Sequence, residues 1–297
     1  MPRVFVDGQH GTAGLRLGEL LAAHPLIEPL ELPHHQRRDV ERRRTLMAHA
    51  DLVALCLPRA AVAEALSLAP VGGRIIDASN EHRCDDDWVY GLPELGPGQR
   101  EAIREASQVT NPGCFATGFV LAVRPLVDAG IVSAADTLHC HAITGYSAGG
   151  ARMIARFEGG DDTARMCSIN LDHRHLPEMQ RYARMTAAPV LLPSIGSHAY
   201  GMHLTVTVLT NAPRSELLAA FSSRYETEPF VHVVRDPPTR LSPAHEQHLN
   251  HVEIYVSGTA GRYLVSVRLH NLMKGAAGAM VQNMNLMLGL EENLGLA

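Results

Sequence analysis

The run RVFVDGQHGTAGLRLGELLAA, residues 3–23, decides the fold. RVFVD (3–7) is a short β-rich strand, GQHGTAG is a turn, and LRLGELLAA carries helical spacing, so the chain opens strand, glycine loop, helix. The pattern recurs. IEPLEL (27–32), LVALCLP (52–58) and GRIIDAS (73–79) are strand candidates, with helical segments around 40–50 and 59–69 between them. Alternation at this spacing predicts a doubly wound, Rossmann-like parallel sheet, an architecture that binds nucleotides.

An apolar helix is expected over roughly 114–129, and beyond it the character changes. TLHCHAITG, APVLLPSI, MHLTVTVLT, FVHVV, HVEIYVSG and RYLVSVRLHN read as strands with few helices between them, which predicts an α+β domain with a mixed or antiparallel sheet. The last segment, KGAAGAMVQNMNLMLGL, is helical. Met280, Met284, Leu286, Met287 and Leu290 are spaced to bury one face, and the helix is expected to pack back on the first domain. The domains are therefore 1–113 plus 273–297, and 114–272.

With 297 residues, 46% hydrophobic and 19% charged, the chain can bury two cores. A net charge of −5 gives no reason to expect nucleic acid or a membrane surface, and the basic run Arg37, Arg38, Arg42, Arg43, Arg44 is local and broken by acids. The start, MPRVFVDG, lacks the apolar core of a signal peptide, and no window approaches the ~18 apolar residues of a membrane span. Five cysteines without a C-x-x-C pair fit a reducing compartment, so a cytoplasmic location is expected.

Three elements carry chemistry. Gly8, Gly11 and Gly14, with Thr12 and Ala13 between the last two, form a loop whose backbone can approach a pyrophosphate at a helix N-terminus. Glycines also fill tight turns with no ligand, but the strand-loop-helix context favours a dinucleotide. Glu31 could bind a ribose 2′-hydroxyl, whereas Arg37 and Arg38 just beyond the second strand suit a 2′-phosphate, and we weight the arginines.

Cys114 follows Asn-Pro-Gly and opens an apolar helix. A thiol has a reference pKa of about 8.5, and the unpaired amides of a helix N-terminus favour its thiolate. Such a thiolate can attack an activated acyl group, and the thioester can accept hydride from a reduced nicotinamide. Small buried packing is the commoner fate of a free cysteine, and we assign it to Cys56, Cys84, Cys140 and Cys167. In DHRHLPEM (172–179) two histidines precede Pro177 and Glu178 at a helix start, and histidine titrates where acid–base work is done. Ligation of a metal by His173 and His175, or by His139, Cys140 and His141, lacks further ligands at a recognised spacing, so no metal is expected.

VDGQHGTAGL, IDASNEHR with WVYGLPEL, NPGCFATG, TGYSAGG, HRHLPEM and NLMKGAAGAMVQNMNLMLG occur in that order. Together they resemble N-acetyl-γ-glutamyl-phosphate reductase of the shorter type, over nearly the whole chain. The resemblance implies NADPH-dependent reductive dephosphorylation of N-acetyl-γ-glutamyl phosphate to N-acetylglutamate semialdehyde in arginine biosynthesis, on a fold similar to aspartate-semialdehyde dehydrogenase. It makes 1–113 plus 273–297 the NADP-binding domain and 114–272 the catalytic, substrate and oligomerisation domain. Carried over by residue, it makes Cys114 the nucleophile, His175 the acid and base, and Gly8 to Gly14 the cofactor phosphate loop. Ser147, Gly149 and Gly150 match a second glycine-rich loop near cofactor and substrate, while Ser79, Arg83 and Asn111 fall where the substrate is met. Asn80 and Glu81 replace the usual small residues, Ala151 stands where a lysine is common, and Met273 replaces a glycine. The expected partners are a small acyl phosphate and further copies of the chain, as a homodimer or homotetramer. A related dehydrogenase acting on aspartyl phosphate or a lysine-pathway acyl phosphate, or a dinucleotide-sensing module without catalysis, are the alternatives.

Overall fold

The computed structural model describes residues 1–161, 163–243 and 250–296. The chain divides into two compact units, Met1–Pro93 with Pro97–Pro112 and the segment from Ala276, and Glu94–Gly96 with Gly113–Gly275. The crossings thus fall at 112/113 and 275/276, and three residues of the 94–96 turn join the second unit.

In the first unit β1 (Arg3–Asp7), α1 (Thr12–Ala22), β2 (Glu28–Leu30), α2 (Val40–His49), β3 (Leu52–Leu55), α3 (Arg59–Leu68) and β4 (Ile75–Asp77) alternate as the hydrophobic pattern requires. Two elements unmarked by that pattern follow, the two-residue β5 (Val89–Tyr90) and α4 (Gln99–Glu105), and then β6 (Gln108–Thr110). All six strands pair in parallel in the order β2-β1-β3-β4-β6-β5. Both faces of such a sheet are covered, which is why β3 is buried at every residue and reads as a continuous apolar run.

The second unit opens with α5 (Cys114–Asp128) and continues through β7 (His139–Thr144), α6 (Gly150–Glu158), β8 (Arg165–Met166), α7 (Leu176–Tyr182), β9 (Val190–Ile195), β10 (Met202–Val208), α8 (Arg214–Tyr225), β11 (Val231–Val234), β12 (Val252–Thr259) and β13 (Arg262–Leu269). Its seven-stranded sheet has the order β11-β12-β13-β10-β7-β9-β8 and is mixed, β11–β12 and β7–β9 being parallel. Three helices interrupt the strands where few were expected, because α6 and α8 are short and their apolar residues sparse. One face of the sheet packs on α5 and α8. The other alternates outward, with His139, His141, Thr207 and Leu264 exposed.

Helix α9 (Gly278–Met287) follows a π-helical turn over 273–277 and packs on α1 and α4 in the first unit. The expected single apolar stripe is corrected here, because every residue of α9 is buried. Its polar residues are tolerated because each has a partner. Gln282 donates to Glu292 at 2.7 Å, Asn283 to the Gly91 carbonyl at 2.8 Å, and Asn285 to the Leu294 carbonyl at 2.9 Å.

Pro125 lies inside α5, where it removes the amide that would bond the Leu121 carbonyl. The hydroxyl of Tyr225, the last residue of α8, donates to that carbonyl at 2.9 Å. Burial holds the Tyr225 phenol well above its ordinary pKa, so it remains the protonated donor. We expect Tyr225→Phe to lower stability by about 1–3 kcal/mol, the cost of a buried acceptor left unmet. In the Pro125→Ala background, where the restored amide serves Leu121, the same change should cost much less. Denaturant midpoints at constant m-value for the four proteins of this double-mutant cycle check the coupling.

Candidate active site

The loop between β1 and α1 is built by close backbone packing. Gly8 has φ of +91°, and a Cβ there would lie 2.3 Å from the Cys56 carbonyl oxygen, while one on Gly14 would lie 2.2 Å from the Gly8 carbonyl oxygen. These two glycines are required by the fold. Gly11 is different, since a Cβ would meet nothing nearer than 3.5 Å, so the protein's own packing does not require a glycine at the start of α1. Helix α1 has no side-chain cap and no acid in its first turn, which leaves its terminal dipole available to an anion.

Arg37 and Arg38 are exposed and line, with Gly8, Gly11, His34 and Leu57, a cleft of about 690 Å³. The structure thus brings the basic pair beside the glycine loop. Arg43, from the same basic run, does something else: it is buried against Asp7 at the end of β1, at 2.8 Å, and also pairs with Glu64. This neutralises the carboxylate that would otherwise face an anion at the loop.

Past β4, the wholly buried Asp77 organises a second loop of the first unit. Its carboxylate accepts the Ser79 amide at 2.8 Å, the Ser79 hydroxyl at 2.7 Å and the His82 Nδ1–H at 2.9 Å. The Ser79 hydroxyl also accepts the Glu81 amide. Glu81 is turned to Arg59, which holds its carboxyl below the ordinary range. Arg83 is buried and donates to the Ala78 carbonyl at 2.9 Å. Asn111 is also buried, donating to the Ala276 carbonyl at 3.2 Å and accepting from Asn283 at 3.3 Å. Its amide therefore anchors the C-terminal segment within the first unit.

In the second unit Cys114 is the first residue of α5, whose N-cap Gly113 supplies no side chain. The Gly113 amide donates to the buried Glu178 carboxylate at 3.1 Å. Glu178 stands in the first turn of α7, and His175 is the N-cap of that helix, with Pro177 in the first turn. Phe115 lies edge-on to both His173 and His175, at 5.3 and 5.9 Å between ring centroids. His175 is 3% exposed, whereas His173 is half-buried and its Nδ1 accepts the His175 amide at 3.2 Å. The start of α5 and the start of α7 therefore meet. Gly275 closes the thiol's other side, where a Cβ would lie 2.8 Å from that of Cys114.

Ser147 lies in the 3-10 turn before α6. Its hydroxyl donates to the Ala199 carbonyl at 2.6 Å and accepts from Asn271 at 2.8 Å, so it braces the turn that presents Gly149 and Gly150. Of the other cysteines Cys140 alone is fully buried, and Cys56, Cys84 and Cys167 are half-buried, which corrects the uniform core assignment. Desolvation, with the charges of Asp77 and Asp7, raises the Cys56 thiol to about 12, and burial raises that of Cys140 to about 12, which disfavours their thiolates. Among the described residues no group of three or more metal-ligating side chains could hold an ion, and no helix is long and apolar enough to cross a membrane.

Sequence reasoning missed Glu178, Asp77, His82 and the buried pair Lys274–Glu94, whose Nζ and Oε1 are 2.6 Å apart. Lys274 did carry a signal, being the only lysine in a chain with 25 arginines. The others sit inside quoted motifs, but their roles depend on contacts that sequence spacing does not reveal.

Residues 114–271 match the family model of the semialdehyde dehydrogenase dimerisation domain. The fold is that of aspartate-semialdehyde dehydrogenases. The enzyme of Francisella tularensis superposes with a TM-score of 0.74 at 15% identity, covering 97% of this chain and 100% of that one. The Candida albicans enzyme, solved with NADP, gives 0.72 at 14%, covering 97% and 99%. In sequence the chain is 38% identical to N-acetyl-γ-glutamyl-phosphate reductase of Brucella anthropi, over 97% of this chain and 99% of that one. It is 35% identical to N-acetyl-γ-glutamyl-phosphate reductase 2 of a Nostoc species, over 99% of each. Identity of this order along nearly the full length of both chains shows that the protein belongs to the N-acetyl-γ-glutamyl-phosphate reductase family.

Proposed function

We propose that the protein reduces N-acetyl-γ-glutamyl phosphate to N-acetylglutamate 5-semialdehyde with NADPH, releasing phosphate, as a cytoplasmic step of arginine biosynthesis. The observation that carries this reading is the bond from the Gly113 amide to Glu178, which joins the start of α5, where Cys114 stands, to the start of α7, where His175 stands. The two are the nucleophile and the proton-transfer group of an acyl-transfer site.

The Cys114 thiolate attacks the acyl carbon, the S–C bond forms, and the C–O bond to phosphorus breaks with its electron pair leaving on phosphate. NADPH, when bound, supplies a hydride that reduces the thioester carbon. The helix dipole at the start of α5 favours the thiolate before attack. His175 stabilises the oxyanion at the reduced carbon, and S–C cleavage then returns the sulfur as thiolate and frees the aldehyde. Ser147 and Asn271 hold the turn carrying Gly149 and Gly150, the second loop assigned to cofactor and substrate. Gly11, which the fold itself does not demand, lets a pyrophosphate reach the α1 terminus, and Arg37 and Arg38 read the 2′-phosphate. Arg83 binds the substrate phosphate, its loop shaped by Ser79, while Asn111 anchors the strand end that leads to the cysteine. The outward face of the seven-stranded sheet receives a second copy, giving a homodimer or a homotetramer built from it; the match to a dimerisation domain supports this reading.

Cys114→Ser should abolish reduction of N-acetyl-γ-glutamyl phosphate while leaving the melting temperature and NADPH binding unchanged, because a serine alkoxide is hard to form and its ester accepts hydride poorly. Turnover above a few per cent of the wild-type rate would exclude a thioester route. Arg37→Glu with Arg38→Glu should erase a preference for NADPH over NADH, since each charge-assisted contact to the 2′-phosphate contributes on the order of 1.5–3 kcal/mol. An unchanged ratio of kcat/KM for the two nucleotides would place phosphate recognition elsewhere. His175→Asn should lower kcat by ~10²–10⁴ with little effect on NADPH affinity. His173→Asn should do much less, because the Nδ1 of His173 already serves the His175 amide. Steady-state rates in which His173→Asn is the more damaging would reverse the assignment.

A further inference from the structure

The loop after β4 holds an imidazole that the mechanism above leaves unused. His82 is fixed on two sides: its Nδ1 donates to the buried Asp77 at 2.9 Å, and its ring stacks on Trp88 with centroids 4.3 Å apart and planes inclined by 11°. Both supports are rigid, since Asp77 is fully buried and Trp88 is buried too. With Nδ1–H given to the carboxylate, Nε2 is the nitrogen left to meet a ligand, where the imidazolium form presents it as a second donor, and His82 keeps 15% of its side chain exposed.

The neighbours define what such a ring would meet. Arg83 follows it directly in the chain, Glu81 is neutralised by Arg59, and the Ser79 hydroxyl is spent on Asp77 and on the Glu81 amide. An anion at this loop would therefore find the Arg83 guanidinium and the His82 Nε2–H, and not the serine hydroxyl. We propose that His82, held by Asp77 and Trp88, is a phosphate-binding residue that donates its Nε2–H to an oxygen of the acyl phosphate and of the phosphate released from it. This rests on the acyl-phosphate reading above and assigns to its phosphate a second ligand beside Arg83. As the C–O bond breaks, negative charge grows on the departing phosphate, where a charged donor interacts more strongly than a neutral one.

Trp88 is the only tryptophan of the chain, so its emission reports directly on the ring stacked against it. Titrating the full-length protein with inorganic phosphate should give a saturable change in Trp88 emission. His82→Phe keeps an aromatic stack but removes both nitrogens, and should weaken half-saturation by roughly tenfold to a hundredfold, the worth of one charge-assisted hydrogen bond. In the oxidative direction, with semialdehyde and NADP+, the KM for phosphate should rise by a similar factor while that for NADP+ stays constant. His82→Gln, which restores a donor, should recover part of the loss, and it serves as the test if the phenylalanine variant does not fold. A phosphate KM and half-saturation within twofold of wild type in both variants would overturn the proposal, as would a wild-type protein whose Trp88 emission ignores phosphate. Failure of the acyl-phosphate reading would appear differently, as absence of turnover with N-acetyl-γ-glutamyl phosphate in a protein whose emission still responds to phosphate through His82.

Discussion

Glu178 accepts the amide of Gly113 at 3.1 Å, and the arrangement of the candidate centre depends on that bond. Gly113 brings no side chain to cap α5, so its buried amide would otherwise pay the desolvation penalty of an unmet donor. The partner comes from 65 residues downstream, in the first turn of α7, and in meeting this need it fixes one helix start against another. His175 lies at one end of that contact and Cys114 at the other. A stability requirement of the backbone thus does the work of holding the two helix starts that carry Cys114 and His175 against each other.

The same device recurs at each site of chemical interest. Asp7 is held by Arg43 beneath the glycine loop, Asp77 gathers Ser79 and His82, and Glu94 pairs with Lys274 one residue before the glycine that packs on Cys114. Burying charge is expensive, and such pairs are often no better for stability than apolar packing. Their value here is geometric, because a buried carboxylate with several donors leaves its neighbours little freedom to move. Exposed pairs such as Arg44–Glu41 have no comparable role.

The fold was legible wherever hydrophobic period and glycine spacing speak alone. The alternating strands and helices to residue 79, the helix opened by Cys114 and the strand-rich second half follow from pattern. What pattern hid was local or long-range. The two-residue β5 and β8 are too short to carry a period, and α9 reads as amphipathic although its three amide side chains are buried with their partners. At the site, residue types with intrinsic chemistry were visible: a cysteine at a helix start, histidines before Pro-Glu, arginines after a strand. Their supports were not, because Glu178, Asp77 and Asn271 act through partners that no spacing rule connects. Ser79 too has supports that no spacing shows, since its hydroxyl, expected to meet the substrate, donates to Asp77 and accepts the Glu81 amide.

Lys274 has a consequence for how the protein can be handled. It is the only source of an ε-amino group, and it is fully buried against Glu94, so every cationic side chain at the surface is a guanidinium or an imidazole. Reagents that acylate or cross-link primary amines meet no side-chain target on the native surface. Lys274 becomes accessible only when the core of the second unit opens, so its rate of labelling would follow that opening event in place of local fraying. The chain therefore contains an intrinsic probe of its own cooperative unfolding, at a position adjoining the glycine that packs on Cys114.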